Sequence, residues 1–473
     1  MKVVDFMEKI IDCQEYSYRS SVFEDSLDTD LKKEHGIYYT DVGLAKIIIE
    51  DLNITTTSHI LDPCCGTGSF LFAAKELGYL NIHGADFDRS TTAMCRKLTG
   101  LKDIKTLDTL GSSCKKICNS FNLKDKVDVI IGNPPYAPMD KNIIIDTEDY
   151  LFLRNVKDSG SNLFVAALYR ALELIKDGGY VSYIIPKNFL HVASYKLLRQ
   201  KILKEKTIVS ITDLGAYFKG VRGEQIVLTI KNECPTNNLI SIKKLYNKNF
   251  KETVKVEQSF FNNEILLFQN NTDYEIYKKL ESAYQRFGDI CTEKIHRGRS
   301  KAEDAISGKD IKKFGFKNTT VPKKGNLVFI QNIYSAEAGI IASFAGNLEA
   351  TETVTIFQDG DEKMCRYIVG ILHSRLCNYY LLKFCFNNSK LTMHTDSKYL
   401  KKIPLIKNDD SFNQIINIVK LLETTEYMSD EWFDSVEDLN SLVYETYNIC
   451  EKEKNYIDDE MKRIQSERWN NDK

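Results

Sequence analysis

The chain of 473 residues lacks most of the features that would classify it at once. No run approaches the ~20 apolar residues needed to cross a bilayer. The N-terminus, MKVVDFMEKI, has no signal-peptide layout. The expected setting is therefore cytoplasmic, with no membrane partner. The seven His are dispersed, and the 12 Cys contain no CxxC pair. Zinc ligand sets need such clusters, so no metal site is expected and reduced thiols fit best. No GxxxxGK[ST] run is present to cradle a nucleoside triphosphate. Charge of one sign is missing too: Lys+Arg 64 against Asp+Glu 66 leaves a formal charge of −2. That excludes a global basic field, so any nucleic-acid binding must come from local patches. Internal repeats and long low-complexity segments are also absent. At about 150 residues per domain, the length suggests two or three domains.

What is present centres on Asn133–Pro134–Pro135–Tyr136. It follows the apolar run Val127–Ile131 and Gly132, which predicts a buried strand ending in a rigid turn. Two prolines remove two N–H donors and leave carbonyl groups to accept from something else. An amide before them and an aromatic ring after them make a flat slot, suited to a planar substrate with an exocyclic NH2 group. The plain alternative is a strand–turn connection that happens to hold two prolines.

Upstream, His59–Ile60–Leu61–Asp62–Pro63–Cys64–Cys65–Gly66–Thr67–Gly68–Ser69–Phe70 predicts a strand, a glycine loop and a helix. This is the first unit of a doubly wound α/β sheet, with a ligand at the carboxyl ends of the strands. The spacing is not GxGxxG, which disfavours a dinucleotide. Asp86 closes the next predicted strand, Asn81–Asp86, and is placed to accept from ribose hydroxyls. Asp108 stands at a further probable strand end and could accept from an adenine amino group. Thr40 or Asp41 is expected to cap a helix from Val42 to Leu52. Each acid alone would more often serve a turn or a cap. In this order they outline a nucleoside-bearing cofactor beside an amino-group slot. Further strands are expected at Tyr180–Ile185, Ile208–Leu214 and Gln225–Ile230.

DPCCGTGSF, GADFD, LDTL and GNPPY, in that order, resemble the gamma class of S-adenosylmethionine-dependent DNA adenine-N6 methyltransferases of bacterial restriction–modification systems. The likeness covers roughly residues 31–232. It implies a Rossmann-like methyltransferase sheet, S-adenosylmethionine as cofactor and a flipped adenine in double-stranded DNA as target. A separately encoded restriction endonuclease is an implied candidate partner. Thr40 and its neighbours, with Asp62, would hold the methionine end, and Gly66 and Gly68 would let the cofactor approach the backbone. Asp86 would hold the ribose and Asp108 the adenine, with Phe87 as a stacking ring. Asn133, Pro134 and Tyr136 would form the catalytic slot. Tyr195 would stack on the flipped base, with Phe189 as the alternative. The family usually reads YTP where this chain has Tyr39–Thr40–Asp41. Cytosine-C5 enzymes need a Cys nucleophile; Cys64 lies in the cofactor loop and reads as structural.

From about residue 240 the pattern changes. Residues 293–324 carry ten Lys/Arg against four acids, a local excess of six positive charges. Arg297, Arg299, Lys312 and Lys313 are the candidate DNA contacts, since Arg forks suit phosphate or guanine edges. A solvated face is the ordinary alternative. The expected division is a catalytic domain at 1–235, a mixed α/β target-recognition domain at 236–407 and a helical segment at 408–473. One helix is expected from Tyr367 to Leu382. Protein glutamine-N5 methylation and RNA adenine methylation are the rival activities, because the slot also suits other NH2 groups.

Overall fold

The structure is a computed structural model describing residues 12–26, 40–124, 126–139, 162–218, 223–283, 285–290, 295–388, 393–406 and 409–471. The chain divides into two units, Met1–Gln269 and Asn270–Lys473.

The first unit is built on one nine-stranded sheet. Its parallel core comprises β1 (His59–Asp62), β2 (Asn81–Asp86), β3 (Ile104–Thr106), β4 (Val127–Gly132) and β5 (Ile175–Pro186). The centre of β1 and β4 reads as an unbroken apolar run because both faces of the sheet are covered. Ile60, Leu61, Val129, Ile130 and Ile131 are all fully buried. The remaining strands are β6 (Thr207–Gly215), β7 (Gln225–Lys231), β8 (Leu239–Tyr246) and β9 (Asn249–Glu257). The order is β3-β2-β1-β4-β5-β7-β6-β8-β9. β7 runs antiparallel between β5 and β6. The helices of this unit include α1 (Cys13–Ser26) and α2 (Val42–Asp51) before the first strand, and α3 (Ser69–Glu76), α4 (Arg89–Thr99), α5 (Cys114–Ser120), α6 (Leu163–Leu174) and α7 (Lys196–Glu205) between strands.

The sheet does not stop at the expected boundary of 235. β8 pairs in parallel with β6, and β9 returns antiparallel to it through a tight turn with Asn247 and Lys248 both at positive φ. β9 forms the edge of the sheet and β8 lies next to it. Their outward residues are polar, so composition marks a change where the hydrogen-bonded sheet continues.

The second unit holds a four-stranded antiparallel sheet, with Ile295–Arg297, Val354–Gln358, Leu327–Gln331 and Ala342–Gly346 in spatial order. The single helix expected over Tyr367–Leu382 is in fact broken into helices Glu362–His373 and Arg375–Tyr380 and a π-helical turn at Leu381–Cys385. Ser374 is the break. Its hydroxyl donates to the Ile371 carbonyl and accepts from Cys377 N–H at 3.2 Å, ending one helix and capping the next. The C-terminal helices, Asp409–Thr424, Asp430–Thr446 and Glu451–Asn471, are part of this core. Gly370 packs so closely on Ile415 that a Cβ there would lie 2.6 Å from its Cγ2. Leu439, Val443 and Tyr447 are buried, as their helical spacing implies.

Candidate active site

The loops after β1, β2, β3 and β4 meet at the carboxyl edge of the sheet. Asp62, at the end of β1, is 2% exposed. Its Oδ1 accepts from Cys64 N–H at 3.1 Å. Burial pushes its pKa up to about 8; the Cys64 N–H works against that rise and Asp86 adds to it. Asp86, at the end of β2, accepts from Gly66 N–H at 3.0 Å with Oδ2 and from Asp88 N–H at 3.0 Å with Oδ1. One carboxylate therefore ties the glycine loop to the β2 turn. Burial also raises its pKa, against the pull of those N–H donors. Two acids held this way are poised for a cationic or hydroxyl-bearing ligand.

Gly66 and Gly68 both have positive φ. Gly68 opens α3 in the left-handed region, and a Cβ there would lie 2.5 Å from Cys95 Sγ. Its backbone conformation and its contact with α4 both demand glycine. Phe87 beside Asp86 is 58% exposed. Asp108 lies two residues beyond the end of β3, not in the strand. It is exposed, and its Oδ1 accepts from Leu110 and Gly111 N–H groups. The turn-forming tendency of Asp overrode the strand expectation. Thr109 next to it donates to the Pro63 carbonyl at 2.8 Å, so this turn is fastened to the β1 loop.

Asp41, not Thr40, caps α2, by accepting from Leu44 N–H at 3.2 Å. Thr40 is buried, and among the described residues its hydroxyl has no hydrogen-bond partner. Tyr38 and Tyr39 lie outside the described residues. A second such group was not signalled by the sequence: Tyr183 on β5, whose buried hydroxyl also lacks a partner among the described residues. Tyr183 pairs with Gly132 across the sheet, and its hydroxyl is influenced by Cys64 and Asp62. Unsatisfied buried hydroxyls cost free energy, and a bound polar ligand would recover it. Cys64 keeps its proton: burial first, then Asp86 and Asp62, push its thiol well up.

Gly132 precedes the Asn133 turn with φ +151°. A Cβ there would lie 2.7 Å from Asp62 Oδ1, so glycine lets the turn approach the acid. In the turn, Tyr136 directs its hydroxyl at Asn133 Oδ1, 2.5 Å away, and at the Ile184 carbonyl, 3.1 Å away. Pro134 is buried and Asn133 half-buried. Asn162 donates to the Tyr136 carbonyl at 2.6 Å and caps α6 through Phe164 N–H, so the start of α6 is fastened to the turn. Phe164 meets Tyr136 edge-on, with centroids 6.3 Å apart.

Tyr195 is half-buried, edge-on to Phe164 at 5.1 Å and stacked on Phe189 at 6.2 Å. Phe189 is 1% exposed and belongs to the core, which leaves Tyr195 as the ring at the surface of this cluster. Lys187 was also missed by sequence reasoning. Its ammonium is buried between Asp213, 2.9 Å away, and Glu224, 3.1 Å away. Burial lowers its pKa, but the two carboxylates more than offset this and it stays charged. The ion triad locks the start of the segment that carries Tyr195 to the ends of β6 and β7.

In the second unit Arg297 is half-buried and paired with Asp396 at 2.5 Å. Arg299 is exposed. Lys312 and Lys313 are half-buried in a separate groove. Among the described residues, no group of three or more His, Cys, Asp or Glu could hold a metal, and no helix is long and apolar enough to cross a membrane.

The model of the N-6 DNA Methylase family matches residues 22–285. The chain belongs to that family. Type II methyltransferase M.VspI of Vibrio sp. (strain 343) is 28% identical over 236 residues, 47% of this chain and 54% of that protein. Type II methyltransferase M.CvrRI of Paramecium bursaria Chlorella virus XZ-6E is 24% identical over 224 residues, 46% of this chain and 54% of the relative. The chain spans about half the length of these relatives. Among solved structures, the Type IIL restriction-modification enzyme MmeI in complex with DNA aligns with a TM-score of 0.56 at 11% identity. It covers 94% of this chain and 81% of that one, a likeness of fold.

Proposed function

We propose that this chain is a gamma-class DNA adenine-N6 methyltransferase that uses S-adenosylmethionine on a flipped adenine in duplex DNA. The observation that carries the reading is the joining of the Asp62–Asp86 loop pair to the Asn133–Tyr136 turn at one sheet edge, through the Gly132–Asp62 approach. The order along the chain, with Thr40 first, the glycine loop next, the Asn133 turn third and the second unit last, supports the gamma class.

The orphan hydroxyls of Thr40 and Tyr183 and the two acids with raised pKa fit a ligand with an ammonium, a carboxylate and ribose hydroxyls. Thr40, Asp62, Gly66 and Gly68 hold its amino-acid end in this reading. Asp86 takes the ribose, with Phe87 and Asp108 around the adenine. When bound, S-adenosylmethionine supplies an electrophilic methyl group.

The chain's own residues prepare the nucleophile. Adenine N6 is poor because its lone pair is conjugated with the ring. Asn133 Oδ1 and the Pro134 carbonyl accept the two amino hydrogens and favour a pyramidal nitrogen. The contribution is positioning and fixed polarity in a dry slot. Extrusion of the base costs a few kcal/mol. Stacking on Tyr195 returns about 1–3 kcal/mol. Arg299 is the leading backbone contact, since Arg297 must first give up Asp396.

The test offers methyl-labelled cofactor with duplex DNA, RNA or protein. Label on N6 of adenine in the duplex is expected. Label on a protein carboxamide or on RNA alone would replace this reading with one of its rivals.

A further inference from the structure

The second unit contains a groove of about 750 Å³ that has no part in the proposed chemistry. Four lysines line it: Lys309, Lys312, Lys313 and Lys317. No carboxylate lines it among the described residues. The nearby Asp310 feels Lys309 and Lys317, but its carboxylate accepts from the Ser307 N–H and hydroxyl. Lys313 is half-buried, and burial alone holds its pKa below the usual value. A half-buried ammonium without an acid is costly unless an anion completes it.

Apart from Gln331, the rest of the lining is apolar, and three of its members are aromatic. Tyr427, Trp432 and Phe433 form an edge-to-face series, with centroids 5.1 and 5.3 Å apart. Phe433 is 47% exposed and Met428 beside it 59%. The Lys312 ammonium lies 5.1 Å over the Tyr427 ring. An incoming anion would draw Lys312 off that ring and uncover its face.

Four cations with Asp310 alone nearby, beside exposed rings, match a ligand that is anionic at one end and flat at the other. Duplex DNA satisfies only the first half, because its bases are stacked inside and offer nothing to cover Phe433 or Met428. An unpaired nucleotide satisfies both: phosphate to ammonium, base to ring. We propose that the groove formed by Lys309, Lys312, Lys313, Lys317, Tyr427 and Phe433 binds an unpaired nucleotide. The choice of a nucleotide over an acidic, ring-bearing peptide rests on the DNA reading above. The shared chemistry is phosphate plus base, whether from a free nucleotide or from a single strand.

The chain has two tryptophans, Trp432 and Trp469. In a full-length Trp469→Phe background, Trp432 becomes the sole reporter in the groove. Its fluorescence is titrated, without cofactor, with adenosine monophosphate, a single-stranded oligonucleotide, the matching duplex and polyglutamate. Saturable quenching by the single strand or the mononucleotide, stronger than by duplex, is expected; a response to the mononucleotide alone assigns the free source, and one to the strand alone assigns the strand. Phe433→Ala should weaken binding about fivefold or more, and Lys313→Met at least as much. Lys313→Met removes an uncompensated charge, so its thermal midpoint should stay the same or rise, which separates lost binding from lost fold. Equal or tighter duplex binding, a response to polyglutamate only, or no saturable response overturns the proposal. Methyl transfer is not read, so failure of the methyltransferase reading and failure of the groove are distinguishable.

Discussion

The Tyr136 hydroxyl lies 2.5 Å from Asn133 Oδ1, three residues back along the same turn. The two prolines between them fix the backbone, and this contact fixes the side chain. An amide that must meet an incoming NH2 group gains little if its torsion is loose, because misplacement by about 1 Å can cost 10²-fold in rate. Oδ1 has two lone pairs, and the hydroxyl occupies one of them. Tyr136 therefore acts here as a latch on Asn133.

The latch gives a graded expectation. Tyr136→Phe keeps the ring packed on Phe164 and deletes only the donor, so cofactor affinity should hold while methyl transfer falls by about 10–10². Asn133→Ala deletes the acceptor itself and should cost about 10²–10³. Single-turnover rates on duplex DNA measure both. Wild-type rates in Tyr136→Phe would mean that the contact orients nothing.

Asp86 anchors the Gly66 N–H and, in the proposed reading, takes the ribose, and its replacement should show both. Asp86→Ala removes a charged acceptor from the ribose and releases Gly66 N–H from its anchor. S-adenosylmethionine binding should weaken by roughly 1.5–3 kcal/mol, tenfold or more. Asp86→Asn keeps one carbonyl oxygen and should fall between. Calorimetry on the cofactor alone is the check, and unchanged affinity in both variants removes Asp86 from the site.

The parts of this site that sequence makes legible are those set by local chemistry. Gly66 and Gly68 announce a tight loop, and Asn133–Pro134–Pro135–Tyr136 announces a rigid turn, because backbone freedom and its absence are properties of single residues. Asp86 was legible through its place at the end of an apolar strand. Asp108 was misplaced by two residues, since a short strand and an Asx turn look alike in a mixed-polarity stretch. Tyr183, Lys187 and Phe164 carried no local signal. Their roles depend on what lies across the sheet: Gly132, the Asp213–Glu224 pair and Tyr195. The same limit hid the β8–β9 hairpin, whose polar outer face resembles a new domain until its hydrogen bonds to β6 are seen.

Gly132 offers a test of how closely the turn must approach the acid. Its φ of +151° disfavours any side chain, and an added Cβ would lie 2.7 Å from Asp62 Oδ1. Gly132→Ala should cost about 1–3 kcal/mol of stability through backbone strain. It should also push the Asp62 carboxylate aside and weaken cofactor binding. Thermal melting and calorimetry are read together; a variant with wild-type melting and affinity would show that the approach is not required.

Asp62 makes the most distinctive expectation, because its sign depends on pH. In the unfolded chain an Asp ionises near its ordinary value of about 3.9. Burial moves it up to about 8 in the folded state. Between those values the folded protein holds a proton that the unfolded chain has lost, so stability falls as pH rises. The slope approaches about 1.4 kcal/mol per pH unit. Below the lower value both states are protonated and the penalty vanishes. Above the upper value both are ionised and it stays constant. Asp62→Asn is a near-isostere with no charge to bury. Without cofactor, its thermal midpoint should match wild type near pH 4, rise above it increasingly up to about pH 8, and then hold a steady lead. Its affinity for S-adenosylmethionine should fall, since the ligand's ammonium loses a counter-charge. Melting curves of both proteins across that range decide the matter. Parallel midpoints at every pH would show that the carboxyl is not held protonated by burial, and that its place in the cofactor loop is not set by charge.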